Sequence, residues 1–356
     1  MRIFGLLLCL LIFTPRCGFS QETKKHSAAY YYEKGEESLA KKEYISAHAH
    51  LNECLRLDPR LADAYRLRGI VREHLGENAK ALTDYNVYVS LKPTDTEALF
   101  SRAVLRFESK QYLLARQDFL LLLKLPPGET NTVYFSQEKY GTGDTRVFTA
   151  QNGAKDHIYN YLGLVETKLE RFRVAVAWLD SAIKVAPNTA SYWINRGKAK
   201  EQLLDKAGAA ADFEQALALD PENSLALHNL AIVKASKGDS EASDKLLSEA
   251  IEKNKGMPYP LAERAFQRFQ RNDLKGALQD YNELIRLEPK DDESYVNRGL
   301  VKERMNDLEG ALDDFGKAIL LNDKNEKGWL EHGNPRGGFG SGKQFSRGVQ
   351  CGTRRC

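Results

Sequence analysis

The chain has 356 residues, is 42% hydrophobic and 28% charged, and carries a formal net charge of +3 with five cysteines. This is the composition of a folded chain and excludes a disordered or membrane-embedded one. A charge so near zero is not built to hold a polyphosphate backbone, which sets nucleic acid aside as a partner.

Residues 1–20 stand apart: Arg2 precedes the apolar run FGLLLCLLIF (4–13), and the small residues Gly18 and Ser20 follow. The run is too short to span a bilayer, since a crossing helix needs about 20 apolar residues. It reads as a secretory signal peptide cut after Ser20, which leaves a linker at 21–27 and no integral membrane segment. The expected location is secreted or periplasmic, and the form of the signal suggests a bacterium. A lipid anchor at Cys9 or Cys17 is disfavoured, because LLLC and TPRC lack the small residue expected before the cysteine. Removing Arg2 and Arg16 takes the net charge from +3 to +1. Three cysteines then remain (Cys54, Cys351 and Cys356), and an odd number excludes a fully paired disulfide framework.

Beyond residue 27 the chain is periodic. Prolines 59, 93 and 127 are 34 apart, as are 187 and 221, and Pro289 lies 68 beyond Pro221. Segments starting at Ala28, Ala62, Thr96, Asp156, Ala190, Ser224, Pro258 and Asp292 align without internal gaps. Their eighth slot holds Gly or Ala throughout, and the twentieth holds Ala or Ser. Four residues further on stands a large apolar residue, from Leu51 and Tyr85 to Tyr281 and Phe315. Small residues at two slots let antiparallel helices approach closely, and spacings of three and four keep the apolar residues on one helix face. The proline ends the second helix, because its ring cannot continue the pattern. Cys54 stands where other segments have Ala182, Ala216, Ala250 and Ala318, and so is expected to be buried.

These segments resemble the tetratricopeptide repeat family, RLADAYRLRGIVREHLGENAKALTDYNVYVSLKP (60–93) and DESYVNRGLVKERMNDLEGALDDFGKAILLN (292–322) being close matches. The resemblance implies an all-α fold. It implies a right-handed superhelical solenoid of eight 34-residue repeats, three over 28–129 and five over 156–325. It also implies a concave groove, lined by the first helices, that binds a peptide or protein segment without catalysis.

Five segments carry arginine at slot seven: Arg68, Arg102, Arg196, Arg264 and Arg298. Sixteen residues after each lies an aspartate: Asp84, Asp118, Asp212, Asp280 and Asp314. The other three have Lys34 with His50, Leu162 with Trp178, and Leu230 with Leu246, so arginine and aspartate come and go together. A salt bridge joining the two helices of each of those five segments is expected. A ligand-binding ladder of arginines is the other reading, disfavoured because each arginine has a partner in its own segment.

The surplus between the third and fourth segments, 130–155, reads TNTVYFSQEKYGTGDTRVFTAQNGAK. Two β-branched and aromatic stretches flank the turn residues YGTGD, which predicts a two-stranded hairpin that is either a decorated loop or a docking element. By the resemblance, slots two, five, nine and twelve line the groove. They hold Asp63, Arg66, Ile70 and Glu73 in the second segment, and Glu97, Phe100, Val104 and Phe107 in the third. The fifth supplies Ser191, Ile194, Lys198 and Glu201, and the seventh Tyr259, Ala262, Phe266 and Phe269. His228 and the slot-six amides Asn195, Asn229 and Asn297 complete the candidate binding set. The aromatic clusters read as anchor pockets flanking a mixed-charge stretch, the other reading being that they pack against the next repeat. The basic-and-amide set with which some relatives hold a terminal carboxylate is not reproduced.

Signatures of catalysis are missing. There is no H-E-x-x-H, C-x-x-C or G-x-S-x-G, and His48 and His50 at spacing two diverge on a helix, so no metal site is expected. GGFGSGKQ (337–344) departs from the phosphate loop where Gln344 replaces Ser or Thr, so no nucleotide cofactor is expected. EKGWLEHG (326–333) begins a ninth repeat that Pro335 stops, and 334–356 is a flexible tail rich in Gly and Arg. A break in the ancestral reading frame after Gly333 would explain that stop, and a naturally short tail is the alternative. Two rival functions stand beside the scaffold: an envelope assembly factor holding peptides, and an exported enzyme with its chemistry in 130–155.

Overall fold

The computed structural model describes residues 26–126, 133–136, 146–149, 155–322, 324 and 325. The signal peptide, the ninth-repeat start and the tail with Cys351 and Cys356 lie outside the described residues, as do most of the linker and of the 130–155 insertion.

Among the described residues there are sixteen helices, which run in pairs. They are α1 (Ala28–Ala40) and α2 (Tyr44–Leu57), α3 (Ala62–His74) and α4 (Asn78–Leu91), and α5 (Thr96–Glu108) and α6 (Tyr112–Lys124). Two strands follow, β1 (Val133–Ser136) and β2 (Arg146–Thr149), antiparallel with Val133 opposite Thr149 and Ser136 opposite Arg146. Next come α7 (Asp156–Lys168) and α8 (Phe172–Val185), then α9 (Ala190–Gln202) and α10 (Lys206–Leu219). The series closes with α11 (Ser224–Ser236) and α12 (Ser240–Lys253), α13 (Pro258–Gln270) and α14 (Leu274–Leu287), and α15 (Asp292–Arg304) and α16 (Leu308–Leu321).

Each first helix ends in the same way. The residue at slot fifteen takes positive φ at Lys42, Gly76, Lys110, Glu170, Leu204, Gly238, Asn272 and Asn306. The next residue's N–H then donates back to the slot-eleven carbonyl, as from Glu77 to Arg72 at 2.8 Å and from Asp307 to Lys302 at 2.9 Å. This is the reversed cap that satisfies carbonyls left over at a helix end. In the last four pairs, Asp205, Asp239, Asp273 and Asp307 cap the second helix by accepting a backbone N–H three residues on. The turn thus reverses the chain within each pair, and slots eight and twenty-four come face to face where Gly35 meets Leu51, Gly163 meets Leu179, Gly197 meets Phe213 and Gly299 meets Phe315.

The chain divides into two compact units, Met1–Asp84 and Tyr85–Cys356, with the boundary inside α4. In the first unit the core comprises Ala47, Leu51, Cys54, Leu55, Ala64, Leu67 and Val71. Cys54 is wholly buried, and burial pushes its thiol pKa up, which leaves the sulfur a packing atom. In the second unit one core cluster centres on Phe213 and Leu230 and another on Tyr281 and Phe269. No helix among the described residues is long and apolar enough to cross a membrane.

Candidate functional site

The five arginines and aspartates at spacing sixteen lie together. Asp84 accepts from Arg68 Nε at 3.0 Å and Nη2 at 2.7 Å, a bidentate fork. The same fork joins Arg102 to Asp118, Arg196 to Asp212, Arg264 to Asp280 and Arg298 to Asp314. Sequence reading missed a second cation at slot eleven on each carboxylate: Arg72, Arg106, Lys200, Arg268 and Lys302, all within 2.9 Å. It missed a third arm as well. Nη1 of Arg68, Arg196, Arg264 and Arg298 reaches the preceding pair's second helix, at Asn52, Asp180, Ser248 and Asn282. Comparing slot eleven across the segments would have found the second cation, although Lys234 occupies that slot in a segment with Leu246 in the aspartate's place.

The aspartates are at most 4% exposed, so these are buried ion pairs rather than the partly exposed ones that sequence alone suggests. Removing one member of a buried pair costs about 3–5 kcal/mol, because the other charge is left stranded. Arginines so fully committed are not available as a ligand ladder. The three remaining segments use slot eleven differently. Ser38 pairs with His50 at 3.3 Å, and Lys234 reaches back to Glu214 at 3.2 Å. Glu166, wholly buried, takes Arg116 from α6 at 2.5 Å.

Close approach explains the small eighth slot. A Cβ on Gly197 would lie 2.6 Å from the Phe213 ring, and one on Gly299 2.5 Å from the Phe315 ring. The periodic proline gains a second role, because its carbonyl accepts from an aromatic at slot four of the next segment. Trp193 Nε1 donates to Pro187 O at 2.8 Å, and Tyr65 Oη to Pro59 O at 3.2 Å.

The candidate binding residues separate into two groups. Arg66 and Glu73 in the first unit are half-buried, as are Phe107, Asn195, Lys198, Glu201, Tyr259 and Phe266 in the second. Phe100, Phe269, His228, Asn229 and Asn297 are buried. Phe100 therefore does not line an open stripe. Its ring packs against Phe119 at 5.8 Å, Tyr161 at 5.7 Å and His157 at 5.1 Å, which fills the space between α5 and α7. Phe269 lies under the Arg304 guanidinium, 4.1 Å from its ring centre. Both belong to the packing between successive pairs, the Phe100 ring meeting Tyr161 of α7 and the Phe269 ring meeting Arg304 of α15.

Within the second unit, α9 neighbours both α7 and α11, and α11 neighbours α13. Their ninth slots, with those of α5 and α15, are half-buried: Val104, Leu164, Lys198, Ile232, Phe266 and Leu300. Lys198 alone breaks an apolar row. On the next first helix the pKa of His228 is lowered to about 3, by burial first and by the charge of Lys198 second. His228 Nδ1, Asn229 Nδ2 and both amide atoms of Asn297 are buried with no hydrogen-bond partner. Asn195 instead donates to Asn160 Oδ1 at 2.9 Å. No group of three metal-ligating side chains occurs among the described residues.

Tetratricopeptide-repeat models match residues 32–96, 162–224 and 292–325, and a TPR-repeat model matches 267–306. The chain is 25% identical over 249 residues to protein FlbA of Caulobacter vibrioides, covering 70% of this chain and 37% of that protein. It is 25% identical over 246 residues to the DnaJ protein P58IPK homolog B of Oryza sativa, covering 67% of this chain and 50% of that one. The chain thus spans half or less of the length of either relative. In three dimensions it is similar to a tetratricopeptide repeat protein from Parabacteroides merdae, with a TM-score of 0.55 at 15% identity, over 86% of this chain and 98% of that one. Family models, paired helices and a solved structure of the same fold agree: this chain belongs to the tetratricopeptide repeat family.

Proposed function

We propose that this protein is a non-catalytic scaffold of the cell envelope that binds a peptide or protein segment along its first helices. On this reading the sixteen helices are eight 34-residue repeats of a right-handed superhelical solenoid, and 130–155 is a hairpin inserted between the third and fourth. The observation that carries the proposal is the half-buried row at slot nine, flanked by the aromatic side chains of Phe107 and Tyr259. Apolar side chains left partly open on neighbouring helices suit a partner that supplies the missing cover. Export rests on the Arg2-led apolar run of residues 1–20.

A tagged mature chain and its Phe266→Ala variant, matched in helical content and melting temperature, can be compared as baits in envelope extract. The expected result is a reproducible partner that the variant loses and a Leu204→Gly control retains. Equal recovery by bait and variant would move the binding surface elsewhere. Retention of denatured clients without a discrete partner would favour the peptide-holding assembly factor.

A further inference from the structure

The exposed side of α6 sets it apart from every other second helix. Its slots eighteen, nineteen, twenty-five and twenty-six hold Leu113, Leu114, Leu120 and Leu121. In the seven other second helices these slots hold no leucine, and Ile45, Val87 and Val174 are their only large apolar residues. Leu113 is 57% exposed, Leu114 41% and Leu121 39%, and Leu120 is half-buried. Packing against α5 does not need them, because Ala115, Phe119 and Leu122 form the buried side of the helix. The ionic neighbours are engaged as well, Arg116 by Glu166 and Asp118 by Arg102 and Arg106. At the centre stands Gln117, exposed, with the four leucines three and four positions to either side. The pattern L-L-x-x-Q-x-x-L-L is the same in both directions.

We propose that this face docks on the same face of a second copy of the chain, the two α6 helices packing antiparallel about a two-fold axis at Gln117. In such a self-complementary contact, a residue before the axis is level with the residue equally far after it on the other copy. Leu113 then meets Leu121 of the second copy and Leu114 meets Leu120, so every leucine gains an apolar neighbour. Gln117 meets its own counterpart, and an amide that both donates and accepts can pair with itself. That symmetry is what a self-contact uses and what an unrelated partner would leave unused. The nearest exposed charges along the helix, Lys110 and Lys124, stand seven positions to either side of Gln117 and come level with each other at the two ends of the contact. A helix of 13 residues is about 20 Å long. One such face falls short of the roughly 800 Å² per partner of a standard interface, so the dimer dissociates on dilution. The stripe shares no residue with the slot-nine row and stands independently of it.

The test is sedimentation equilibrium of the full mature chain from about 1 to 200 µM. The mass should rise from monomer toward dimer and no further, and added salt should tighten the association by screening the level lysines. Leu113→Glu, at an exposed position that leaves the fold alone, should weaken it at least about tenfold. A second variant fixes the axis. In a chain with Cys351 and Cys356 replaced by serine, Gln117→Cys should cross-link to its own counterpart under diamide. Ala211→Cys, exposed at the same slot of α10, should not. A mass that grows beyond the dimer would overturn the two-fold contact, as would association that Leu113→Glu leaves unchanged or equal cross-linking of the two cysteine variants. A chain monomeric over the whole range would overturn it too. If Leu113→Glu then lowered the melting temperature of that monomer, the stripe would belong to the ribbon of β1 and β2 instead.

Discussion

At the scale of single residues, two groups couple folding to pH in opposite senses. The folded-state pKa of His228 is held at about 3, so between that value and its ordinary value near 6.5 only the unfolded chain binds the proton. Its contribution to stability is present above that window and is lost as pH falls through it. Asp291, the cap of α15, is raised to about 6 by burial, so the folded chain holds a proton that the unfolded chain has released. That contribution is present in acid and is lost as pH rises from about 4 to 6. The two slopes oppose each other between pH about 4 and 6. Relative to the unaltered protein, Asp291→Asn should lose urea resistance more steeply on acidification across this range, and His228→Gln should lose it less steeply. Identical pH profiles for all three chains would refute the linkage. Leu204 is a second residue-scale anomaly, 81% exposed and at φ 64° in a turn where Gly76 and Gly238 stand elsewhere. A Cβ-bearing residue there costs roughly 1 kcal/mol. Leu204→Gly is expected to raise the melting temperature by about 2–4 °C, and a calorimetric scan showing a decrease would contradict the strain.

At the scale of elements, the unit of stability is a helix pair held by one buried carboxylate. Asp212 accepts from Arg196 and Lys200, while Arg196 also reaches Asp180 on α8. One guanidinium therefore sets the register within a pair and ties that pair to the one before. Asp212→Ala strands two cations and is expected to cost about 3 kcal/mol or more. Arg196→Ala leaves Lys200 on the carboxylate and should cost less. In a double-mutant cycle read by urea unfolding, the two losses should fall short of additivity by about 1–3 kcal/mol. Additive losses would mean that the fork contributes nothing beyond its separate parts.

At the scale of the whole molecule, each repeat touches only its neighbours, so one weak junction can divide the unfolding of an array. The place where 130–155 interrupts the period is where such weakness would arise. It is reinforced by the Arg116–Glu166 pair, by Lys155 Nζ donating to Leu123 O at 2.7 Å, and by the Phe100 ring between α5 and α7. Phe100→Ala should cost about 3–5 kcal/mol and, combined with Glu166→Gln, split one denaturation transition into two. A single unshifted transition for the double variant would show that this junction does not limit cooperativity. Phe266→Ala should leave the transition in place, because its ring is only half-buried.

Helix existence, helix order and the Arg–Asp pairing could all be read in the sequence, because a 34-residue period states each local rule eight times and lets the repeats be compared with one another. The first helices begin at the residues where the aligned segments begin, Ala28 through Asp292, since small slots and proline stops are local signals. Burial at the stripe was another matter. Slots two, five, nine and twelve share a helix face, but how much of that face stays open depends on how closely the next first helix lies. Only the packed arrangement placed Phe100 and Phe269 in the interior and left Phe107 and Phe266 partly open. It also buried the His228 imidazole with an unpaired ring nitrogen. Periodicity specifies which way a side chain points from its own helix. What it meets there is decided by the neighbouring helix, and that contact exists only in the folded stack.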